Sequence, residues 1–153
     1  ALRLEAPGPA STAQRLGIAD PALFAFKVSN AGTMGRLVFA RLLGGSLSEG
    51  TDVRDADGRT TRLGSLFSVQ GEKMQKLGQA RDGEVGALAK LDQLKAGQWL
   101  GTGKLPPVPD LPLPALNCAM AIEPADRKDD VKLSSALHKL LEEDPSLRLD
   151  HDE

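Results

Sequence analysis

Aromatic side chains are scarce in this sequence, with four Phe, one Trp and no Tyr among 153 residues. Single-stranded nucleic acid is commonly held on stacked rings, so aromatic-driven strand binding is not expected, and no DNA partner is expected. Cysteine is scarcer still. Cys118 stands alone, which excludes an internal disulfide and fits a reducing compartment. No apolar run approaches the roughly 20 residues of a membrane span, and no charged-then-apolar signal segment opens the chain. The cytoplasm is therefore the expected location, with no membrane partner. The chain opens at Ala1 rather than Met, so a fragment or a processed product is expected.

Hydrophobic residues make up 41% of the chain, enough for a core, and that core must be aliphatic. The formal net charge of −2 hides an uneven distribution. Residues 21–105 carry 12 Lys and Arg against 8 Asp and Glu, whereas residues 106–153 carry 5 against 11. A mildly basic part beside an acidic one implies two modules with different partners. An excess of four positive charges by itself is within the reach of any solvated surface.

The stretch Gly35–Val53 organises the reading. Leu37, Val38, Phe39, Leu42 and Leu43 are apolar on both faces of one strand, the pattern of a strand covered on both sides. Gly44-Gly45 predicts a tight turn that joins this strand to a second one as a hairpin, and Gly50-Thr51-Asp52-Val53 turns the chain again. Ala22–Val28 reads as an earlier strand, with Phe24 and Phe26 on one face and Ala25 and Lys27 on the other. Asp57-Gly58 predicts a turn that pairs Asp52–Arg54 with about Thr60–Leu63. Leu63, Leu66 and Val69 continue the sheet, Gly64 marks a bulge or close approach, and a turn at Arg81–Glu84 leads into a strand over Val85–Leu91. Short strands joined by short turns predict an antiparallel β-barrel over residues 21–104. Residues 1–20 read as the end of a preceding helix and a linker.

Five prolines in Lys104–Pro114 predict a stiff, extended linker, placed at residues 105–115. Beyond it the hydrophobic period changes. Leu116–Ile122 alternates as a strand would, and Leu133, Ala136, Leu137, Leu140 and Leu141 mark one apolar helix face. Asp129 and Asp130 favour the helix start, Pro145 ends it after Asp144, and Leu147–Leu149 begins another strand. Residues 116–153 thus read as a strand–helix–strand unit too small to cover its own helix, with further structure expected downstream.

Several sequence features invite sharper chemistry and do not support it. A phosphate-binding loop needs Lys and a hydroxyl residue after its last glycine, but Thr51 and Asp52 follow Gly50. Gly101-Thr102-Gly103-Lys104 runs into Leu105 and prolines, so no helix presents amides to a phosphate. GTP hydrolysis by these residues is not expected. Cys118 with His138 or His151 forms no catalytic motif, and the reading of Cys118 is a buried, inert thiol in an apolar strand. Asp150-His151-Asp152-Glu153 reads as a solvated acidic terminus rather than a metal site, because no second ligand cluster has recognisable spacing. No catalytic residue, metal or cofactor is assigned.

Two stretches resemble the translational GTPases, nearest to elongation factor G or an elongation-factor-G-like paralogue. Gly35-Arg36-Leu37, Arg41, Gly45-Ser46-Leu47 and Gly50–Val53 are similar to the second-domain barrel of that group. Ala121-Ile122-Glu123-Pro124, Lys128-Asp129, Lys132-Leu133, Ala136-Leu137, Leu140 and Glu143-Asp144-Pro145 resemble the opening of the third domain of elongation factor G. The resemblance implies a mainly β chain with α+β character: a barrel of the translation-factor second-domain type, then a partial ferredoxin-like β-α-β unit. It implies an upstream GTPase domain that holds GTP and Mg and packs on the barrel, and a role in a GTP-dependent ribosomal translocase. The ribosome, through small-subunit rRNA and protein, is the implied partner. Leu43 stands where an aromatic is common in the family, which points to a divergent paralogue and puts translocase activity in question. Arg36 and Arg41 are the candidate rRNA phosphate contacts, with strand cover by their stems as the other reading. Lys128 and Lys132 are candidates for a ribosomal contact, or else part of a locally paired helix start. Alternatives within translation are a ribosomal protection protein and a release-promoting GTPase. Outside it, the alternative is an unrelated stand-alone cytosolic enzyme or scaffold.

Overall fold

The computed structural model describes residues 9–31, 35–71, 73–108, 112 and 115–150. The chain divides into two compact units, Ala1–Pro109 and Asp110–Glu153.

Among the described residues the first unit holds helix α1 (Pro9–Arg15) and ten strands: β1 (Ala22–Ala31), β2 (Gly35–Leu43), β3 (Ser46–Ser48), β4 (Asp52–Arg54), β5 (Thr60–Arg62), β6 (Leu66–Gln70), β7 (Lys73–Leu77), β8 (Gln79–Arg81), β9 (Val85–Ala89) and β10 (Trp99–Gly101). Eight of them form one sheet in the order β5-β4-β10-β1-β2-β9-β6-β7, and β3 pairs with β8 separately. Every pairing is antiparallel. The expected antiparallel β fold is therefore present, but hydrogen bonding does not close it into a barrel, since β5 and β7 remain as edges.

Burial explains the central place of β2. Val38, Ala40 and Leu42 join the main core with Leu23, Ala25 and Val28 of β1. Leu43, on the opposite face, packs with Ala13, Ile18, Ala22 and Trp99, against which Phe24 and Leu105 also lie. Both faces of β1 and β2 are thus covered, as a nearly continuous apolar run requires. The Phe24 and Trp99 rings meet at a 4.7 Å centroid distance. These two rings supply the aromatic bulk around Leu43.

Two local readings need correction. Gly44-Gly45 does not close a β2–β3 hairpin, because β2 pairs with β1 and β9 while β3 pairs with β8. At Gly44 (φ 79°) a Cβ would lie 2.7 Å from Ile18 Cγ2 and 2.8 Å from the Asp20 carbonyl oxygen. That crowding demands glycine, while the sheet pairing sends the outgoing strand elsewhere. The second concerns β1, where the register slips between Ala25 and Lys27. This bulge leaves Phe26 46% exposed and turns Val28 into the core. Simple alternation places Phe26 with Phe24 instead. The β4–β5 hairpin forms as expected, with Val53 opposite Thr61, and the Asp55 carboxylate accepts from the Asp57 and Arg59 amides at 3.0 and 2.8 Å.

In the second unit a 3-10 turn (Arg127–Asp129) leads into helix α2 (Asp130–Glu143), with Asp144 as its C-cap. The helix lies where the periodicity and Pro145 put it. The strands expected at Leu116–Ile122 and Leu147–Leu149 do not form. A strand is stabilised by its ladder, and neither segment has a pairing partner among the described residues. No residue of α2 is buried, and Val131 and Leu140 are 76% and 52% exposed.

Candidate nucleic-acid interface

Arg36 and Arg41 lie on β2 five residues apart, so strand alternation sends them to opposite faces. Arg36 donates from Nη1 to the Leu91 carbonyl and from Nη2 to the Leu94 carbonyl, each at 2.6 Å. Its guanidinium thereby clasps the loop between β9 and β10 to the end of the sheet. Arg41 sits between Phe24 and Val85 across the outward face of β1, β2 and β9. Its Nε is buried without a hydrogen-bond partner, as is the Trp99 indole nitrogen. The two arginines are not brought together.

In the second unit Lys128 pairs with Asp126 at 3.0 Å and Lys132 with Asp129 at 2.7 Å, all at the exposed start of α2. Such exposed pairs contribute little to stability and leave both ammonium groups accessible. Cys118 is exposed rather than buried, a correction that follows from the missing strand around it. The His138 Nδ1 lies 2.8 Å from the Ser134 carbonyl oxygen, one helical turn back. Asp150 is held by Arg148, whose Nη2 approaches to 2.7 Å; the pair lowers the Asp150 pKa and raises that of Arg148. His151, Asp152 and Glu153 lie outside the described residues. Among the described residues no group of three His, Cys, Asp or Glu is arranged to hold a metal ion. Thr102 spends its amide on the Pro21 carbonyl at 3.0 Å, so the Gly101–Lys104 stretch is tied into strand ends.

A feature not legible in the sequence is a cleft of about 320 Å³ between the β4–β5 hairpin and the loop after β9. Arg59, Thr60 and Thr61 line one side, and Lys90, Asp92 and Gln93 the other. The side chains of Arg59, Lys90 and Asp92 make no hydrogen bond or ion pair with the described residues. Lys90 adopts φ 63°, the one non-glycine residue with positive φ among the described residues. The Asp-Gly turn on one wall carried a sequence signal. The left-handed Lys90 carried none, since lysine rarely adopts that conformation.

Away from the cleft, Glu49 accepts from Ser65 Oγ at 2.9 Å and pairs with Lys76 at 2.9 Å. The Lys76 bond, then the Ser65 bond, hold its pKa below the ordinary 4.5. No described helix is long and apolar enough to cross a membrane.

Residues 111–153 match the family described as Elongation Factor G, domain III. The chain is 36% identical over 148 residues to an elongation factor G-like protein of Synechocystis sp. (strain ATCC 27184 / PCC 6803 / Kazusa), covering 94% of this chain and 21% of that protein. It also superposes on a crystal structure of a Thermus thermophilus protein with TM-score 0.81 and 35% identity, covering 96% of this chain and 22% of that one. The chain spans about a fifth of the length of each of these relatives. It is an elongation-factor-G-like chain, with residues 111–153 in the family of elongation factor G domain III.

Proposed function

We propose that this chain is the non-catalytic, ribosome-binding and interdomain-coupling region of an elongation-factor-G-like translation GTPase. The observation that carries the reading is 36% identity running through both structural units, over 94% of the chain, to an elongation factor G-like protein. In this reading residues 1–20 end the preceding GTPase domain and its linker, 21–104 are the second-domain β fold, 105–115 the proline linker and 116–153 the first half of a ferredoxin-like domain. GTP and Mg belong to the preceding domain, and the protein works in the cytoplasm.

The β unit is the rRNA-facing module, and its excess of positive charge supports that role. Arg41, Lys128 and Lys132 are ribosome-contact residues in this reading. Arg36 contributes by holding the loop after β9 in place. Binding of the whole chain to isolated small ribosomal subunits across a salt series tests the function. Phosphate contacts predict weak affinity that falls steeply with salt, and Arg41→Ala lowers the log–log slope by about one unit. Binding no tighter than that of a charge-matched unrelated protein at low salt overturns the reading.

A further inference from the structure

We propose that the cleft between the β4–β5 hairpin and the Lys90–Leu94 loop is a binding site for a ribose phosphate unit, taken from an RNA strand or a free nucleotide. The inference rests on the β unit facing RNA and assigns that contact to residues other than Arg41.

The cleft holds about 320 Å³, the small end of the range for ligand sites. Its two cations, Arg59 and Lys90, approach from opposite walls and are committed to no ion pair with the described residues. Each therefore has its donors available for phosphate oxygens. Lys90 also exerts a coulombic pull on the Glu49 carboxylate, whose hydrogen bonds go to Lys76 and Ser65.

The acids are not equivalent. Asp55 accepts from two turn amides, both at Oδ1. Asp92 has no partner among the described residues, and a carboxylate in that state accepts hydroxyl groups such as those of a ribose. The Thr60 and Thr61 hydroxyls and the Gln93 amide add donors and acceptors of the same kind.

The wall is fixed in advance. Arg36 clasps the Leu91 and Leu94 carbonyls from the sheet side, so the loop need not be ordered on binding. Lys90 is held at φ 63°, a conformation that glycine would adopt without strain. Lysine at this position therefore puts a cation at the rim where unstrained backbone would favour glycine.

The test is an amide NMR titration of the full chain with AMP, dAMP, inorganic phosphate and a short oligouridylate. AMP or the oligouridylate should shift the amides of 59–61 and 90–94, with inorganic phosphate competing weakly. A larger response to the oligouridylate identifies a strand as the source, and a larger response to AMP identifies a free nucleotide. Discrimination against dAMP reports the ribose hydroxyl. Lys90→Gly should weaken binding at least about fivefold while leaving the melting temperature unchanged or raised. Arg59→Gln should weaken it similarly. Equal affinity for AMP and dAMP overturns the ribose assignment, and undiminished binding by Lys90→Gly and Arg59→Gln overturns the site. Shifts confined to the face around Arg41, with salt-dependent ribosome binding intact, overturn the cleft but keep the proposed function. Loss of ribosome binding overturns that function itself.

Discussion

Arg36 illustrates how little a residue's type says about its task. On sequence it is a phosphate contact or cover for a strand; in the fold its two short bonds to Leu91 and Leu94 join residues more than fifty positions apart. Replacing it leaves two carbonyls at the end of the sheet short of charge-assisted donors. Arg36→Ala should cost about 2 kcal/mol in urea unfolding, and Arg36→Lys should recover only part of that, since an ammonium lacks the planar fork. Gly64 is fixed by contact rather than by turn chemistry. A Cβ there would collide with the Ala89 carbonyl oxygen, against which backbone cannot yield. Gly64→Ala should destabilise by about 2 kcal/mol or more, a larger loss than the same change at Gly58, where nothing lies within 4 Å. The glycine is visible in the sequence. The oxygen it faces is not, because Ala89 comes from another strand.

At the scale of elements, the most legible pieces are those whose information is local. The β4–β5 hairpin follows from Asp55 and Gly58, and its register matches the turn prediction. Asp55→Ala removes an acceptor for two amides and should cost about 1 kcal/mol. Helix α2 follows from its period and from Pro145. Elements that depend on distant partners are the ones the sequence misleads on: the β2–β3 hairpin, the phase of β1 past its bulge, and the strands flanking α2. The Glu49 network ties the turn after β3 to Ser65, just before β6, and to Lys76 of β7, and it carries a pH signature. Its folded pKa lies below the ordinary 4.5, so the stabilisation is present above that value and is lost as pH falls through the folded pKa. Urea midpoints measured between neutral pH and pH 3 should therefore fall less steeply for Glu49→Gln than for the unchanged chain.

Across the whole molecule, every buried hydrophobic residue described lies between Ala13 and Leu100, and α2 buries none of its residues. The stabilising apolar burial is thus concentrated in the first unit. Helical ellipticity, which α2 dominates, should be lost at lower urea than the fluorescence of Trp99, which is 4% exposed in the first unit's second cluster. Coincident transitions by the two probes would show the units unfolding as one. The scarcity of aromatic residues, which argues against base stacking, has a structural counterpart in an aliphatic main core and one Phe24–Trp99 contact.

The sequence by itself determined the antiparallel character of the first unit, the β4–β5 turn, the extent of α2 and the resemblance to elongation factor G. These rest on local periodicity, turn chemistry and short motifs, which act over a few residues. Only the tertiary structure decided which strands pair, that the sheet stays open at β5 and β7, that Arg36 clasps a loop, and that Arg59 and Lys90 flank one cleft. Each of those depends on contacts between residues distant in sequence. A bulge, a register shift or a left-handed lysine redirects side chains with little signal in composition.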